Sequence, residues 1–345
     1  MSTSEHYSDD VGVVIQKNTG IYRVRLDGRV IDCSLSARLW KPASREMPPK
    51  HNDKRRDPRY DRGRESSSGA DLLAVGDRVR LAAGSNGTGQ IVEILPRRNR
   101  LARRSAVPMP GAHPFEQVIA ANVDLIVPVF AAADPAPKWN LLDRYLVSAE
   151  SLEIPCLVCI TKLDLAQAPG DGSLDEDLAA VVTEYSRIGY PVQLTSANAN
   201  TGIAELREAL SGRVSVLVGK SGVGKTSLLN ALQPGLGLRV SAVNPVTGKG
   251  RHTTSSAEMF SFDSGGAIVD TPGVREFGLW DVDQDDLALF FPEMRPFLGR
   301  CRFGLDCRHA DEPGCAVRRA VMAGQVSPRR YQSFMRLMQE GYTDD

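Results

Sequence analysis

Two different hydrophobic patterns follow one another along the chain. In residues 11–40, short runs rich in β-branched residues alternate with turn residues, and similar runs return at 75–81 and 87–96. Partly alternating runs of this length, bounded by Gly, Asn and Asp, are typical of the short strands of an all-β unit. We therefore predict a β-barrel domain over residues 1–107, most simply a five-stranded Greek-key barrel.

The segment 41–70 interrupts the barrel pattern. It is rich in Pro, Ser and Gly, holds nine Lys or Arg against five Asp or Glu, and has almost no large aliphatic residues. Because such a composition cannot bury enough apolar surface to offset the entropy of folding, we predict that this segment is a disordered insertion.

A regular alternation of strands and helices begins near residue 115. Apolar runs at 123–130 and 154–160 have the length of buried parallel strands, and the segment 138–150 between them has helical spacing. Three more strand-like runs and two helical ones follow. This alternation predicts a central α/β domain with a doubly wound sheet over residues 108–280.

Composition adds limits on the class of protein. The 42 Lys and Arg balance the 42 Asp and Glu, so the formal net charge of zero indicates neither an acidic nor a basic partner. No run approaches the roughly 18 consecutive apolar residues of a membrane helix. The N-terminus lacks the basic and apolar regions of a secretion signal. We expect a monomeric cytoplasmic protein without a membrane partner.

One local cluster of charge follows the barrel. The stretch 96–106 contains five arginines and no acidic residue. Two interpretations stay open at this point: a solvated linker, or a stripe that binds the phosphates of a nucleic acid beside a small barrel.

A phosphate-binding loop follows the strand-like run 214–218. The pattern G-x-x-x-x-G-K-T stands between that strand and an apolar-periodic helix, which is the context that identifies a nucleotide-binding P-loop. Its glycines let backbone N–H groups turn toward the phosphates, its lysine supplies a charge for the β- and γ-oxygens, and its threonine supplies a hydroxyl for magnesium. The predicted contacts are Val218, Gly219, Lys220, Ser221, Gly222, Val223, Gly224, Lys225 and Thr226.

Two further segments indicate GTP rather than ATP. AIVDTPG ends a strand with Asp270, placed to hold magnesium through water, and continues to Gly273, whose N–H can meet the γ-phosphate. TKLD, made of Thr161, Lys162, Leu163 and Asp164, follows another strand. The Asp164 carboxylate can accept from both N1–H and N2–H₂ of guanine, a pattern that adenine lacks, and the lysine stem can stack on the base.

The segment LTSAN supports this assignment, because the backbone at Ser196 and Ala197 can reach the guanine O6. TKLD stands before the P-loop, whereas GTPases normally place this element last. The order of segments therefore predicts a circularly permuted GTPase domain, which keeps its sheet intact when the original termini lie close together.

These motifs resemble those of a known family, the circularly permuted ribosome small-subunit-dependent GTPase A proteins. The similarity rests on TKLD, TSA, GKSGVGKTSLLNAL, GKGRHTT, DTPGVREFGL and a Cys/His cluster. The resemblance implies an OB-fold barrel, a permuted GTPase domain and a zinc domain. It further implies a hydrolase of the GTP β–γ phosphoanhydride that binds the small ribosomal subunit and its rRNA, is stimulated by that subunit and acts late in its maturation.

The resemblance also implies roles for the segment GRHTT. His252 would position the attacking water as a catalytic residue beside Lys225, and Thr253 or Thr254 would contact magnesium and the γ-phosphate. One departure is Thr161, where the family usually has Asn, and this change leaves open how strictly bases other than guanine are rejected.

Residues 281–345 lose the α/β pattern and predict a small, mainly helical domain with a structural zinc site. Cys301, Cys307, His309 and Cys315 supply three thiolates and one imidazole, which complete a closed tetrahedral site. The family more often has four residues, not five, between the first two cysteines. The pair at 156 and 159 lies mid-strand without a second pair, so we interpret it as core, as we do Cys33.

The sequence thus predicts a GTP hydrolase with GTP, magnesium and one zinc ion. An alternative is an RNA-binding assembly factor that uses GTP mainly as a conformational switch with little hydrolysis. A signalling or transport GTPase with a protein partner fits less well, because the two flanking modules are of a type that binds nucleic acid.

Overall fold

The computed structural model describes residues 11–18, 20–40, 72–84, 87–104, 116–166, 173–238, 257–270 and 282–340. The described residues form two compact units, one within Met1–Arg98 and the other within Asn99–Asp345. The predicted insertion 41–70 lies outside the described residues. Within them, no helix is both long enough and apolar enough to cross a membrane.

The first unit is a closed five-stranded barrel, as predicted. Neighbouring strands pair in the order β1-β2-β3-β5-β4 and β4 pairs back onto β1, with β3 and β5 parallel and the other pairs antiparallel. Irregular register in β1 and β4 adds the local twist that closure requires. The elements are β1 Val11–Asn18, β2 Ile21–Leu26, β3 Arg29–Leu35, the short helix α1 Ala37–Trp40, β4 Arg78–Ala83 and β5 Gly89–Ile94.

The side chains inside the barrel are the apolar members of the alternating pattern. Val14, Val24, Val79 and Ile91 are fully buried there, and Cys33 lies among them. Burial raises the pKa of the Cys33 thiol to about 11. The interpretation of this cysteine as a core residue is therefore confirmed.

An ion pair at the end of the barrel engages Arg97, one of the five arginines of the stretch 96–106. The guanidinium of Arg97 donates to both carboxylate oxygens of Asp77, at 2.7 and 2.8 Å, and also to the carbonyl of Leu72. Asp77 is fully buried and accepts from the backbone N–H of Ala74. Because a buried carboxylate needs this charge partner, Arg97 is engaged inside the barrel unit.

The second unit begins with a strand pair, so the linker interpretation of the arginine cluster is wrong for its last part. β6 Arg100–Arg104 pairs antiparallel with β7 Glu116–Ala121. Leu101 and Ala102 are buried, whereas Arg100 is exposed. Three of the five arginines of the stretch 96–106 therefore lie on a strand.

The main sheet of the second unit has the order β10-β9-β8-β11-β13-β12, in which β12 alone is antiparallel to its neighbour β13. The strand that leads into the P-loop, β11, lies between β8, which precedes it in the chain, and β13, which follows it. The elements are β8 Leu125–Ala131, α2 Trp139–Ser151, β9 Val158–Thr161, α3 Glu176–Ile188, β10 Val192–Leu194, α4 Ile203–Leu210, β11 Val214–Val218, α5 Lys225–Leu232, β12 Glu258–Ser261 and β13 Ala267–Asp270.

Helices cover both faces of this sheet, which confirms the doubly wound prediction. Leu206 of α4 and Leu229 of α5 are fully buried in one cluster with Val127 and Val129 of β8. On the opposite face, the ring of Phe130 meets that of Tyr145 on α2 at 6.1 Å. Successive residues of β8 thus point to different helical layers, as a strand period of two requires.

The C-terminal segment packs on α2 through its own apolar cluster. Val147 of α2 lies among Phe291, Met294, Val317 and Phe334. The first part of this segment forms two 3₁₀ segments and no continuous helix, because the prolines at 292 and 296 cannot donate the hydrogen bonds of a continued helix. The elements here are the 3₁₀ segments Gln284–Phe290, Arg295–Phe297 and Gly304–Asp306 and the helices α6 Ala316–Met322 and α7 Pro328–Glu340.

A buried polar network joins α2, α3 and α7. One oxygen of Asp143 accepts from the Arg330 guanidinium at 2.7 Å and from the Tyr185 hydroxyl at 2.6 Å. Its other oxygen accepts from the Ser333 hydroxyl at 2.5 Å and from Arg329 at 3.2 Å. Asp143 and Arg330 are both fully buried.

This network gives the arginine-rich C-terminal sequence a structural explanation. Arg330 also pairs with Glu293 at 2.6 Å and lies 4.6 Å from the centre of the Phe291 ring. Its neighbour Arg329 pairs with Glu184 of α3. Two of the five arginines between residues 317 and 338 therefore hold the fold together.

Replacing Arg330 by Met should lower the free energy of unfolding by about 3–5 kcal/mol, because Glu293 loses its buried charge partner and Asp143 keeps only the longer ion pair with Arg329. Urea unfolding followed by circular dichroism measures the change. The matched control is Arg295→Met, which breaks the half-exposed pair with Glu150 and should cost about 1 kcal/mol or less. Equal effects of the two variants would contradict a structural role for the buried network.

Candidate nucleotide and metal sites

The P-loop connects β11 to α5, as the sequence predicts. Val218 ends β11, residues Gly219–Gly224 form the loop, and Lys225 and Thr226 open α5. Gly222 and Gly224 have φ of 84° and 95°, values that favour glycine. A Cβ on Gly219 would stand 2.4 Å from the carbonyl oxygen of Val129. The loop therefore needs glycine both for its turns and for its approach to β8.

Positive charge and N–H groups converge at this loop. The Lys225 ammonium donates to the carbonyls of Gly219 at 2.6 Å and Lys220 at 2.8 Å, which keeps it against the loop. The N-terminus of α5 adds the partial positive charge of a helix end. Together they form a site for the phosphates of a nucleotide.

The predicted guanine-recognition segment Thr161–Asp164 lies against the P-loop. Thr161 is buried, and its hydroxyl donates to the carbonyl of Val223, inside the P-loop, and also lies 3.2 Å from the carbonyl of Phe130. Lys162 has a left-handed backbone with φ of 56°, and its ammonium donates to the carbonyl of Asp134. The two predicted parts of the nucleotide site, which are far apart in sequence, are thus in direct contact.

The Asp164 carboxylate is held by the loop after β10. The Ser196 hydroxyl donates to one carboxylate oxygen at 2.5 Å, and the Asn198 amide donates to the other at 3.4 Å. The Ser196 hydroxyl in particular holds the pKa of Asp164 below its usual value, and the Asn198 amide and the Lys162 charge act in the same direction. The carboxylate is therefore an ionised acceptor at neutral pH.

The topology explains why these residues meet. Thr161, Val218 and Asp270 each end a parallel strand, and their strands are joined through β8 and β11 in one sheet. Ligands of open α/β sheets bind beyond the carboxyl ends of the strands, where loops of neighbouring strands converge. Asp270 pairs in register with Leu217, one residue before the end of the P-loop strand.

Part of the predicted site lies outside the described residues. This applies to the γ-phosphate contact Gly273 and to the segment with His252, Thr253 and Thr254. Leu163 begins a 3₁₀ turn and is buried, Ser221 lies in the P-loop, and Ala197 lies in the turn after Ser196.

The four predicted metal ligands come together in the C-terminal segment. The ligand atoms of Cys301, Cys307, His309 and Cys315 all lie within 4.8 Å of one another, and all four residues are buried. His309 Nδ1 is 3.5 Å from the sulfurs of Cys301 and Cys315, which are 3.9 Å apart. A tetrahedral zinc ion with bonds of about 2.3 Å to sulfur and about 2.0 Å to nitrogen gives edges of about 3.8 Å and about 3.5 Å. The donor set and its dimensions fit such an ion.

Hydrogen bonds around the cluster orient its ligands. The backbone N–H of Ala316 donates to the Cys301 sulfur at 3.2 Å. The Tyr331 hydroxyl donates to the carbonyl of His309 at 2.6 Å. Glu312 accepts from the backbone N–H groups of Arg308 and Ala310, at 2.9 Å each, and so orders the turn that carries His309. Burial lowers the pKa of the His309 imidazole, which favours the neutral form that binds metals.

The pair Cys156 and Cys159, which has Cys-x-x-Cys spacing, is not part of the Cys/His cluster. Cys156 and Cys159 are buried along the strand β9 and the residues before it. Burial raises the pKa of the Cys159 thiol to about 12, so the thiol stays protonated. The interpretation of this pair as core is confirmed.

Comparison with known proteins identifies the class of nucleotide site. A family model described as RsgA GTPase matches residues 94–280. A Gemmatimonas aurantiaca protein named small ribosomal subunit biogenesis GTPase RsgA is 42% identical over 332 residues, which is 95% of this chain and 96% of that protein. The chain belongs to the RsgA GTPase family. An Azotobacter vinelandii protein of the same name is 46% identical over 266 residues, 77% of this chain and 74% of that protein.

Two solved structures show the same architecture. The crystal structure of YjeQ from Thermotoga maritima aligns with a TM-score of 0.69 at 30% identity, covering 97% of this chain and 99% of that one. The structure of YloQ, described as a circularly permuted GTPase, aligns with a TM-score of 0.66 at 29% identity over 98% and 97%. The predicted permutation is confirmed, since the strands β8, β9 and β10 precede the P-loop strand in the chain.

Sequence reasoning missed three contacts of this RsgA-family site. It gave Ser196 only a backbone role, and the structure adds a hydrogen bond from the Ser196 side chain to Asp164. It left Asn198 without a role, although this residue completes the segment LTSAN. The Asp134 carbonyl that receives Lys162 has no motif in the sequence, since any residue supplies a carbonyl.

Replacing Asp164 by Asn should weaken GTP binding at least about tenfold, because the carboxamide offers only one acceptor to the two N–H donors of guanine. Xanthosine triphosphate, which has a carbonyl in place of the 2-amino group, should bind the variant better than it binds the wild type. Competition binding with both nucleotides measures the change. Unaltered preference for GTP over xanthosine triphosphate would show that Asp164 does not recognise the base.

Proposed function

We propose that this chain is a GTP hydrolase that acts in the biogenesis of the small ribosomal subunit. The observation that carries the proposal is the contact of the P-loop with the guanine-recognition segment in a chain of the RsgA GTPase family. Relatives that match up to 95% of the chain bear the name small ribosomal subunit biogenesis GTPase. Late action in maturation and stimulation of hydrolysis by the subunit belong to the same proposal.

The described residues supply binding and charge stabilisation for hydrolysis. The P-loop N–H groups and Lys225 would stabilise the negative charge that develops on the phosphate oxygens as the β–γ bond breaks. Asp164 would select guanine. Thr226 and Asp270 offer oxygen donors for magnesium, which neutralises phosphate charge when it is bound.

The attacking water needs a further residue. We assign this role to His252, and the magnesium and γ-phosphate contacts to Thr253 or Thr254 and Gly273, because the chain carries GRHTT and DTPG at the positions that switch segments occupy in this family. An imidazole held beside a water can orient it or accept its proton.

The flanking modules fit an RNA partner. A closed five-stranded barrel with one parallel pairing between β3 and β5 has the arrangement of an OB-fold, a fold whose strands and loops bind oligonucleotides. We therefore propose an OB-fold domain over 1–107, the GTPase domain over 108–280 and a zinc-binding domain over 281–345. The working unit would be a cytoplasmic monomer that binds rRNA of the small subunit.

We further propose that Cys301, Cys307, His309 and Cys315 hold one structural zinc ion. The four ligands leave no open coordination position, so the ion would stabilise the fold of the C-terminal segment and take no part in hydrolysis. Its effect would reach α7 through Tyr331, which donates to the carbonyl of the ligand His309.

Purified small ribosomal subunits should raise GTP turnover by this protein at least about tenfold, and ATP should not be hydrolysed, because guanine selection by Asp164 excludes adenine. Phosphate release with and without subunits, for both nucleotides, measures this. Equal GTP turnover with and without subunits would contradict ribosome-stimulated hydrolysis.

The His252→Ala variant separates this function from that of a switch with little hydrolysis. If His252 positions the water, the variant should bind GTP with wild-type affinity but lose roughly 10²-fold of its subunit-stimulated turnover. If the variant supports subunit maturation in cells as well as the wild type does, hydrolysis is not needed and the RNA-binding switch is the better description.

The purified protein should contain about one zinc per chain, measured by elemental analysis. Cys307→Ser should lose the metal and lower the temperature of unfolding, because binding of a structural metal stabilises the folded state. The control is Cys156→Ser, which alters a buried cysteine outside the cluster and should keep the zinc. Full zinc content in Cys307→Ser would overturn the assignment of this ligand.

A further inference from the structure

The guanine-recognition carboxylate has two side-chain donors, one on each oxygen. Ser196 donates to Oδ1 of Asp164 at 2.5 Å, and the Nδ2 of Asn198 donates to Oδ2 at 3.4 Å. Asn198 is exposed and makes no other hydrogen bond within the described part of the chain. The hydrogen bond to Asp164 is therefore the one contact that explains the position of the Asn198 amide among the described residues.

The turn that carries Asn198 is held in place independently of that amide. Ser196 and Thr201 exchange two backbone hydrogen bonds of 3.0 Å across it, and the N–H of Ala199 donates to the Ser196 hydroxyl at 3.1 Å. A Cβ on Gly202 would stand 2.0 Å from the carbonyl oxygen of Leu194, so the return of the chain requires glycine. The amide of Asn198 is thus presented to Asp164 by a preorganised turn.

The hydrogen-bond donors of guanine explain why a donor on each oxygen of the Asp164 carboxylate matters. An ionised carboxylate has about four lone-pair positions, two on each oxygen. Ser196 and Asn198 occupy one on each oxygen, which leaves one on each oxygen for the adjacent N1–H and N2–H₂ donors of guanine. The terminal torsion of an aspartate is broad. A donor on Oδ1 alone leaves Oδ2 able to rotate away from the plane that two parallel donors need.

We propose that Asn198 is a positioning residue for guanine specificity, which fixes the plane of the Asp164 carboxylate so that both oxygens meet the base. The inference rests on the proposed GTP function of the site. The Thr161 hydroxyl is already engaged with the P-loop carbonyl of Val223.

The test compares GTP with inosine triphosphate, which keeps N1–H but lacks the 2-amino group. Asn198→Ala should raise the dissociation constant for GTP about three- to tenfold and that for inosine triphosphate less than about twofold. GTP donates to both carboxylate oxygens, whereas inosine triphosphate donates to one. GTP therefore loses more affinity when the carboxylate is free to rotate. Calorimetric titration of the full-length protein with each nucleotide in magnesium buffer gives both constants.

Two further variants complete the design. Asn198→Gln retains the amide and should recover most of the discrimination between the two nucleotides. Asn140→Ala removes an exposed asparagine from α2, outside the site, and should leave both constants unchanged. If Asn198 is a positioning residue, Asn198→Ala changes the ratio of the two dissociation constants, and Asn198→Gln largely restores it. A general loss of folded protein would leave that ratio unaltered.

Each outcome decides a separate point. If Asn198→Ala leaves the ratio at the wild-type value, by weakening both nucleotides equally or neither, the inference is wrong while the GTP function stands. If the wild-type protein itself binds ATP as tightly as GTP, the proposed function fails and the inference fails with it.

Discussion

The contact between the Thr161 hydroxyl and the carbonyl of Val223 is the constraint on which the nucleotide site depends. It joins the end of β9 to the interior of the P-loop across 62 residues of sequence. Both groups are buried, so each would carry a desolvation cost if its partner were lost. The contact holds the segment Thr161–Asp164 against the P-loop.

This constraint also shows why a permuted chain can keep a GTPase site. Strands β9 and β11 reach the same end of the sheet through their shared neighbour β8, whichever of them comes first in the chain. The spatial relation of Asp164 to the P-loop is a property of the sheet. The permutation instead changes the chain beyond β13, which leads into the C-terminal segment with the Cys/His cluster.

The C-terminal segment packs on the GTPase sheet through α2. On this helix, the Asp143 carboxylate accepts hydrogen bonds from Arg330, Arg329, Ser333 and Tyr185. A fully buried carboxylate is tolerated only with such a set of donors. From α7, Tyr331 reaches the carbonyl of His309. The helix that packs under β8 and the Cys/His cluster are therefore connected through the polar contacts of α7.

The sequence by itself determined the elements whose signal is local. The P-loop glycines, the strand ends at Thr161 and Asp270, and the grouping of Cys301, Cys307, His309 and Cys315 could be predicted, because turn chemistry and donor sets depend on residue type and spacing. Tertiary structure alone decided the use of residues whose partners are distant. Arg97, Arg329 and Arg330 belong to basic stretches in the sequence, yet they neutralise carboxylates 20 to 187 residues away. Charge patterns are local, whereas burial and pairing arise only when the chain has folded, and the same holds for the donation of Asn198 to Asp164.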